Sequence, residues 1–249
     1  MAGRTARAGQ VGTTRELILT TAERLFAERG VNAVSNRQIS EAAGQGNNTA
    51  VGYHFGTKAD LVRAIVRSHS QRIEEIRVRL LAGIGDSTDL RDWIDCLVRP
   101  MPEHLADLGG PTWYARFCAQ LMTDPALHDI LVEESLASPS LRAIIEGLNR
   151  CLTGLPPEVR AERGEMARHL IVTMPAERER ALAEGRPTPR ADWHSAGSGL
   201  ADALIGVWLA PITPITPTAP ITPTTPITPT APTTPTAPFT PDVPSEPSG

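Results

Sequence analysis

Between positions 47 and 58 the chain gathers Asn47, Asn48, Thr49, Ala50, Tyr53, His54, Thr57 and Lys58. These side chains offer hydrogen bonds and methyl contacts, with no nucleophile–base pair and no metal-ligand spacing among them. Asparagine donates and accepts bidentately to adenine, and a threonine or alanine methyl packs on the thymine methyl. Tyrosine, histidine, threonine and lysine suit phosphate oxygens, which position a protein on a duplex without reading its sequence. Arg37, upstream, could reach the same backbone. The chemistry on offer is recognition of double-stranded DNA.

Such reading needs one helix held rigidly so that the next can lie in the major groove. The held helix is expected over 36–43. Ser35-Asn36-Arg37-Gln38 is a capping box, Val34 and Ile39 can form a hydrophobic staple, and Gly44 stops the helix. After the turn Gln45-Gly46-Asn47, a short helix capped by Asn48 or Asn47 runs through Phe55. Phe55 reads as core, His54 as either a buried hydrogen-bonding group or a phosphate ligand, and Asn47 as either a reader or a cap. Thr57 with Asp60 caps a fourth helix running to about Leu81. Ahead of these, the capping box Thr13–Glu16 opens a helix with Ile18, Ala22, Leu25 and Phe26 on its inner face, ended by Gly30.

Residues 22–58 resemble the N-terminal domain of TetR-family transcriptional regulators. The likeness rests on Ala22-Glu23-Arg24-Leu25-Phe26, Arg29-Gly30, Gln38-Ile39-Ser40-Glu41-Ala42-Ala43-Gly44 and, most specifically, Tyr53-His54-Phe55-Gly56-Thr57-Lys58 followed by Leu61. The turn between Gly44 and Tyr53 is one residue longer than the usual family pattern, and Gly52 stands where the family usually has tyrosine. The resemblance implies a ligand-sensing C-terminal domain whose last two helices pair with a second copy.

Composition is consistent with an all-α chain. Apolar residues make up 41% but aromatic residues only 4%, so alanine and leucine carry the hydrophobicity. No apolar run approaches the ~18 residues that span a bilayer, and the basic start lacks the apolar segment of a secretory signal. Cys96, Cys118 and Cys151 read as small core residues in a reducing cytoplasm. The net charge of −4 hides an asymmetry: residues 1–79 carry 12 Lys/Arg against 7 Asp/Glu, and residues 80–249 carry 12 against 21. The positive end is the one with the helix-turn-helix pattern.

Further helices are expected near 88–107, 111–122, 125–153, 157–184 and 193–210, with Pro139 and Pro175 kinking or splitting theirs. Apolar residues among the first four nominate an effector pocket lined by Trp93, Cys96, Leu97, Trp113, Phe117, Cys118, Leu121 and Met122. Met166, Leu170 and Met174, with Leu200, Ala203, Leu204, Val207 and Trp208, nominate a homodimer interface; the same stripes would also serve an intrachain core. From Pro211 to Pro247 proline recurs at every third position, a polyproline II repeat that serves as a ligand, a spacer or a low-complexity expansion.

Four segments are therefore expected: a disordered N-terminal arm over 1–12, a DNA-binding module over 13–57, a ligand-binding and dimerisation domain over 58–210, and a disordered Pro/Thr-rich tail over 211–249. The expected function is a cytoplasmic repressor that binds a pseudo-palindromic operator as a homodimer and is released by a small hydrophobic or amphipathic molecule. No cofactor, metal or membrane is implied. The competing readings are a helical ligand-binding protein without specific DNA binding, and a small α-helical enzyme using the same pocket. Scattered histidines and the lack of a phosphate loop or nucleophile elbow speak against the enzyme.

Overall fold

The computed structural model describes residues 2–47 and 49–213, with side chains from residue 12 onward; Asn48 and the tail from residue 214 lie outside the described residues. Eleven helices and no strand occur among the described residues. They are α1 (Ala2–Arg29), α2 (Asn36–Ala42), α3 (Ala50–Phe55), α4 (Lys58–Ile84), α5 (Leu90–Val98), α6 (Pro100–Leu108), α7 (Tyr114–Thr123), α8 (Pro125–Leu136), α9 (Pro139–Cys151), α10 (Pro157–Ala183) and α11 (Trp193–Leu209). Among the described residues no helix is long and apolar enough to cross a membrane.

Local chemistry explains most boundaries. The Ser35 and Thr57 capping boxes both form, and Val34 and Ile39 are fully buried. Where a disordered arm over 1–12 and a helix opening at Thr13 were expected, α1 is already helical from Ala2. The single helices expected over 88–107 and 125–153 are each two. Pro100 and Pro139 lack the N–H that would continue the preceding helix, and each starts a new one. Pro175 does not split its helix. It is buried within α10, which packs along α7 in the most extensive helix pair of the fold, and those contacts outweigh one lost backbone bond.

Two hydrophobic clusters fill the interior. The first joins α1–α4 to α6, α7 and α8 and includes Phe26, whose ring stacks on Phe117 at 6.1 Å between centroids. It therefore runs across residue 57, so the N-terminal helices and those of the expected second domain share one core. The second holds Trp93, Ile94, Ile144, Leu148, Leu200, Leu204 and Trp208. At its centre Gly147 faces the Trp93 indole so closely that a Cβ there would lie 2.2 Å from the ring.

Buried polar groups stitch these layers. Glu179, 2% exposed in α10, accepts from the Ala115 and Arg116 backbone N–H groups at 3.3 and 2.9 Å and from Arg116 Nε at 3.2 Å. It thus caps the start of α7, whose N-cap residue Trp113 makes no side-chain cap bond. Arg163 does the converse for α11, donating to the Trp208 and Ala210 carbonyls at 2.6 and 2.7 Å.

A third group joins α1, α4, α6 and α7. His69 Nε2 lies 2.9 Å from the Glu23 carboxylate and His69 Nδ1 lies 2.7 Å from His104 Nε2. The arrangement is satisfied by neutral rings, with His69 donating to Glu23 and His104 donating to His69. His104 Nδ1 is buried without a partner. Burial, with the adjacent His69, lowers the His104 pKa from 6.5 to about 4; Asp107 opposes the shift and Arg72 adds to it. The unfolded chain therefore binds a proton near pH 6.5 that the folded protein refuses until about pH 4. Stability should fall as pH drops through that window, by at most ~1.4 kcal/mol per pH unit from this group. Urea midpoints of the wild type and His104→Gln from pH 7 to 4 check this; equal slopes would contradict it.

Candidate nucleic-acid interface

The supporting helix α2 buries Ile39 and Ser40 and exposes Arg37, whose Nε is 2.7 Å from Glu41. Gly44, at φ +64°, turns the chain out of it. Asn47 then accepts from both the Thr49 N–H (2.9 Å) and the Thr49 hydroxyl (2.7 Å). This Asx turn orders the entry to α3, with Thr49 as N-cap.

The short helix α3 has two distinct faces. Ala50, Val51 and Phe55 are buried in the first core cluster. Thr49, Gly52 and Tyr53 face out, Tyr53 with 81% of its surface exposed. Ala50, expected to meet base edges, instead packs inward at 8% exposure, beside Val51 in the core. Nothing lies within 4 Å of a Cβ built at Gly52, so the outward surface there is open. His54 is half-buried, edge-on to the Tyr53 ring at 5.1 Å.

Beyond α3 the expected phosphate ligands are already engaged within the chain. Thr57 spends its hydroxyl on Asp60 Oδ2 at 2.6 Å, and these bonds lower the Asp60 pKa. Lys58 Nζ donates to the Val31 and Val34 carbonyls at 3.1 and 2.7 Å. It ties the start of α4 to the loop between α1 and α2. Replacing Lys58 with methionine should cost ~2 kcal/mol of stability in the absence of DNA, seen as a lower urea midpoint; an unchanged midpoint would mean these bonds contribute nothing.

The first 80 residues also supply cations that the sequence pattern did not single out. Arg15, Arg63 and Arg67 line a shallow groove with His54 and Phe55, Arg15 lying 4.8 Å above the Phe55 ring. Arg63 and Arg67 face Glu134 of α8 at 3.4 and 2.8 Å. Their i, i+4 spacing on α4 was the available signal.

A cavity of ≈ 850 Å³ lies farther along the chain, walled by residues of α4 to α11. Of the expected lining residues, Leu97, Cys118 and Met122 are there. The other five are elsewhere: Trp93 and Cys96 in the second core cluster, Phe117 and Leu121 in the first, Trp113 packed against the first. Burial pushes the Cys118 thiol up to about 12 and Cys96 up to about 11, so both are protonated, inert core groups at neutral pH. Of the expected interface residues, Leu200, Leu204 and Trp208 are buried within the chain. Met166, Met174 and Ala203 are exposed, and Leu170 and Val207 are half-buried.

A rigidly capped α2, a turn, and a short α3 with an unobstructed polar face define a helix-turn-helix DNA-binding regulator. Residues 18–65 match the family model described as bacterial regulatory proteins, tetR family. This match, with the relatives that follow, supports a TetR-family transcriptional regulator. It is 26% identical to the HTH-type transcriptional repressor AcnR of Corynebacterium glutamicum over 157 residues, covering 59% of this chain and 73% of that protein. It is 31% identical to AcnR of Corynebacterium efficiens over 86 residues, 32% of this chain and 45% of that protein. Among solved structures, the TetR-family regulator PfmR from Thermus thermophilus aligns with a TM-score of 0.37 at 19% identity, over 77% of this chain and 82% of that one.

Proposed function

We propose that this regulator is a cytoplasmic repressor that binds a pseudo-palindromic operator as a homodimer and is released when a small amphipathic molecule occupies the ≈ 850 Å³ cavity. The observation that carries the reading is the outward face of α3, where Thr49, Gly52 and Tyr53 are exposed while Ala50, Val51 and Phe55 hold the helix down. In this reading Thr49 meets the bases with Asn47 beside it, and Arg37, Tyr53 and His54 meet phosphates. Thr57 and Lys58 brace the module. Its two functional parts are 13–57 for DNA and 58–210 for effector and partner.

Dimerisation through α10 and α11 is supported by the exposed Met166, Met174, Ala203, Gly206 and Leu209. A twofold dimer presents two copies of α3 to two half-sites. Effector response is supported by contacts that run from the cavity wall into the N-terminal helices. Tyr114 lines the cavity and stacks on His69 at 3.8 Å, and His69 bonds Glu23 of α1. Glu134, also lining it, holds Arg63 and Arg67 at the other end of α4. An effector acts only by binding one arrangement of these contacts better than another.

Selection of bound duplexes from a random pool by the full chain tests the reading. An enriched inverted repeat is expected; recovery of an unstructured pool would overturn it.

A further inference from the structure

The cavity's buried polar atoms indicate what it takes, granted that it is the effector site proposed for this regulator. Two buried atoms of cavity-lining residues lack any hydrogen-bond partner, Arg77 Nε and Trp208 Nε1, and both are donors. Unpaired buried donors are costly unless something supplies an acceptor. The Arg77 side chain is only 17% exposed. Its polar contacts, a hydrogen bond to the Ser138 hydroxyl at 3.2 Å and a longer approach to Glu74 at 3.5 Å, both use Nη1.

Glu74 pairs with Arg77 only through Nη1 and shares its charge with other donors, so it leaves Nε unpaired. Glu74 is committed to the start of α9, accepting from the Ser138 and Ser140 hydroxyls and the Ser140 N–H. Glu134 is held by Arg63 and Arg67. Of the other arginines lining the cavity, Arg168 pairs with Glu165, and no partner is found for Arg160 among the described residues. Most of the remaining wall is apolar, from Val66 and Ile73 to Leu148 and Ile171. Burial correspondingly lowers the Arg77 pKa, the signature of an under-compensated cation.

We propose that the cavity binds an amphipathic monocarboxylate, with its acid group on the Arg77 guanidinium and its hydrocarbon along the apolar wall. The guanidinium fork suits a carboxylate. A cation or a neutral hydrocarbon would leave Arg77 Nε unpaired.

Calorimetric titration of the full chain with octanoate, decanoate and dodecanoate, each against the alcohol of the same length, tests this. Each acid should bind at least about tenfold more tightly than its alcohol, the effect of one charge-assisted hydrogen bond. Arg77→Met should erase that preference while leaving alcohol binding unchanged. Equal binding of acid and alcohol, no binding of either, or a preference that survives Arg77→Met would overturn the proposal. If the variant does not fold, the wild-type comparison decides. Acid binding that leaves DNA affinity untouched would overturn the effector role and leave this site standing.

Discussion

Glu179→Ala should destabilise the protein by ~3–5 kcal/mol, the cost of leaving a buried cation and two helix-start N–H groups without their acceptor. Glu179 serves three donors from a position 2% exposed, so water cannot take its place. The loss should be felt beyond α10, since α7 carries Phe117 onto Phe26 of α1. Glu179→Gln keeps an acceptor and should lose less. The double variant Glu179→Leu, Arg116→Leu should recover part of the Glu179→Ala loss, because it removes the stranded charge. Chemical unfolding of the four proteins checks this; a Glu179→Ala loss below about 1 kcal/mol, the ordinary worth of one hydrogen bond, would contradict it.

The second large effect is functional. Tyr53→Ala should weaken operator binding by about 10-fold, corresponding to ~1.4 kcal/mol for one lost hydrogen bond to DNA. The same change should leave stability within about 0.5 kcal/mol, as for surface substitutions away from packing and caps, because Tyr53 is 81% exposed. Ala50→Gly should show the reverse pattern, since Ala50 lies in the core side of α3. Fluorescence anisotropy with a labelled operator, beside urea titrations, separates the two. A Tyr53→Ala protein with full affinity would remove this residue from the DNA contacts.

Sequence and structure agree or part along physical lines. What depends on a few consecutive residues was legible: the capping boxes at Ser35 and Thr57, the stops at Gly30 and Gly44, the new helix at Pro139. What depends on distant partners was not. Lys58 looks like a free cation until the carbonyls of Val31 and Val34 come beneath it. Pro175 looks like a helix break until α7 is laid along α10. Leu200, Leu204 and Trp208 make a stripe that suits a partner chain or a core equally, and only the packing of Ile94, Ile144 and Leu148 assigns them to the core. The cavity also draws on α4 and α11, outside the helices expected to line it, and apolar periodicity cannot separate a residue facing space from one facing another side chain. The unpaired Nε of Arg77 and Nε1 of Trp208 could be recognised only in three dimensions.

The most direct test is the affinity of the full chain for the duplex that it selects, measured against a scrambled duplex of equal length over a range of salt. Tight binding that weakens log-linearly with salt, with the scrambled duplex bound ~10³-fold or more weakly, is the predicted result. Equal affinity for both duplexes at every salt concentration would contradict a sequence-reading role for α3.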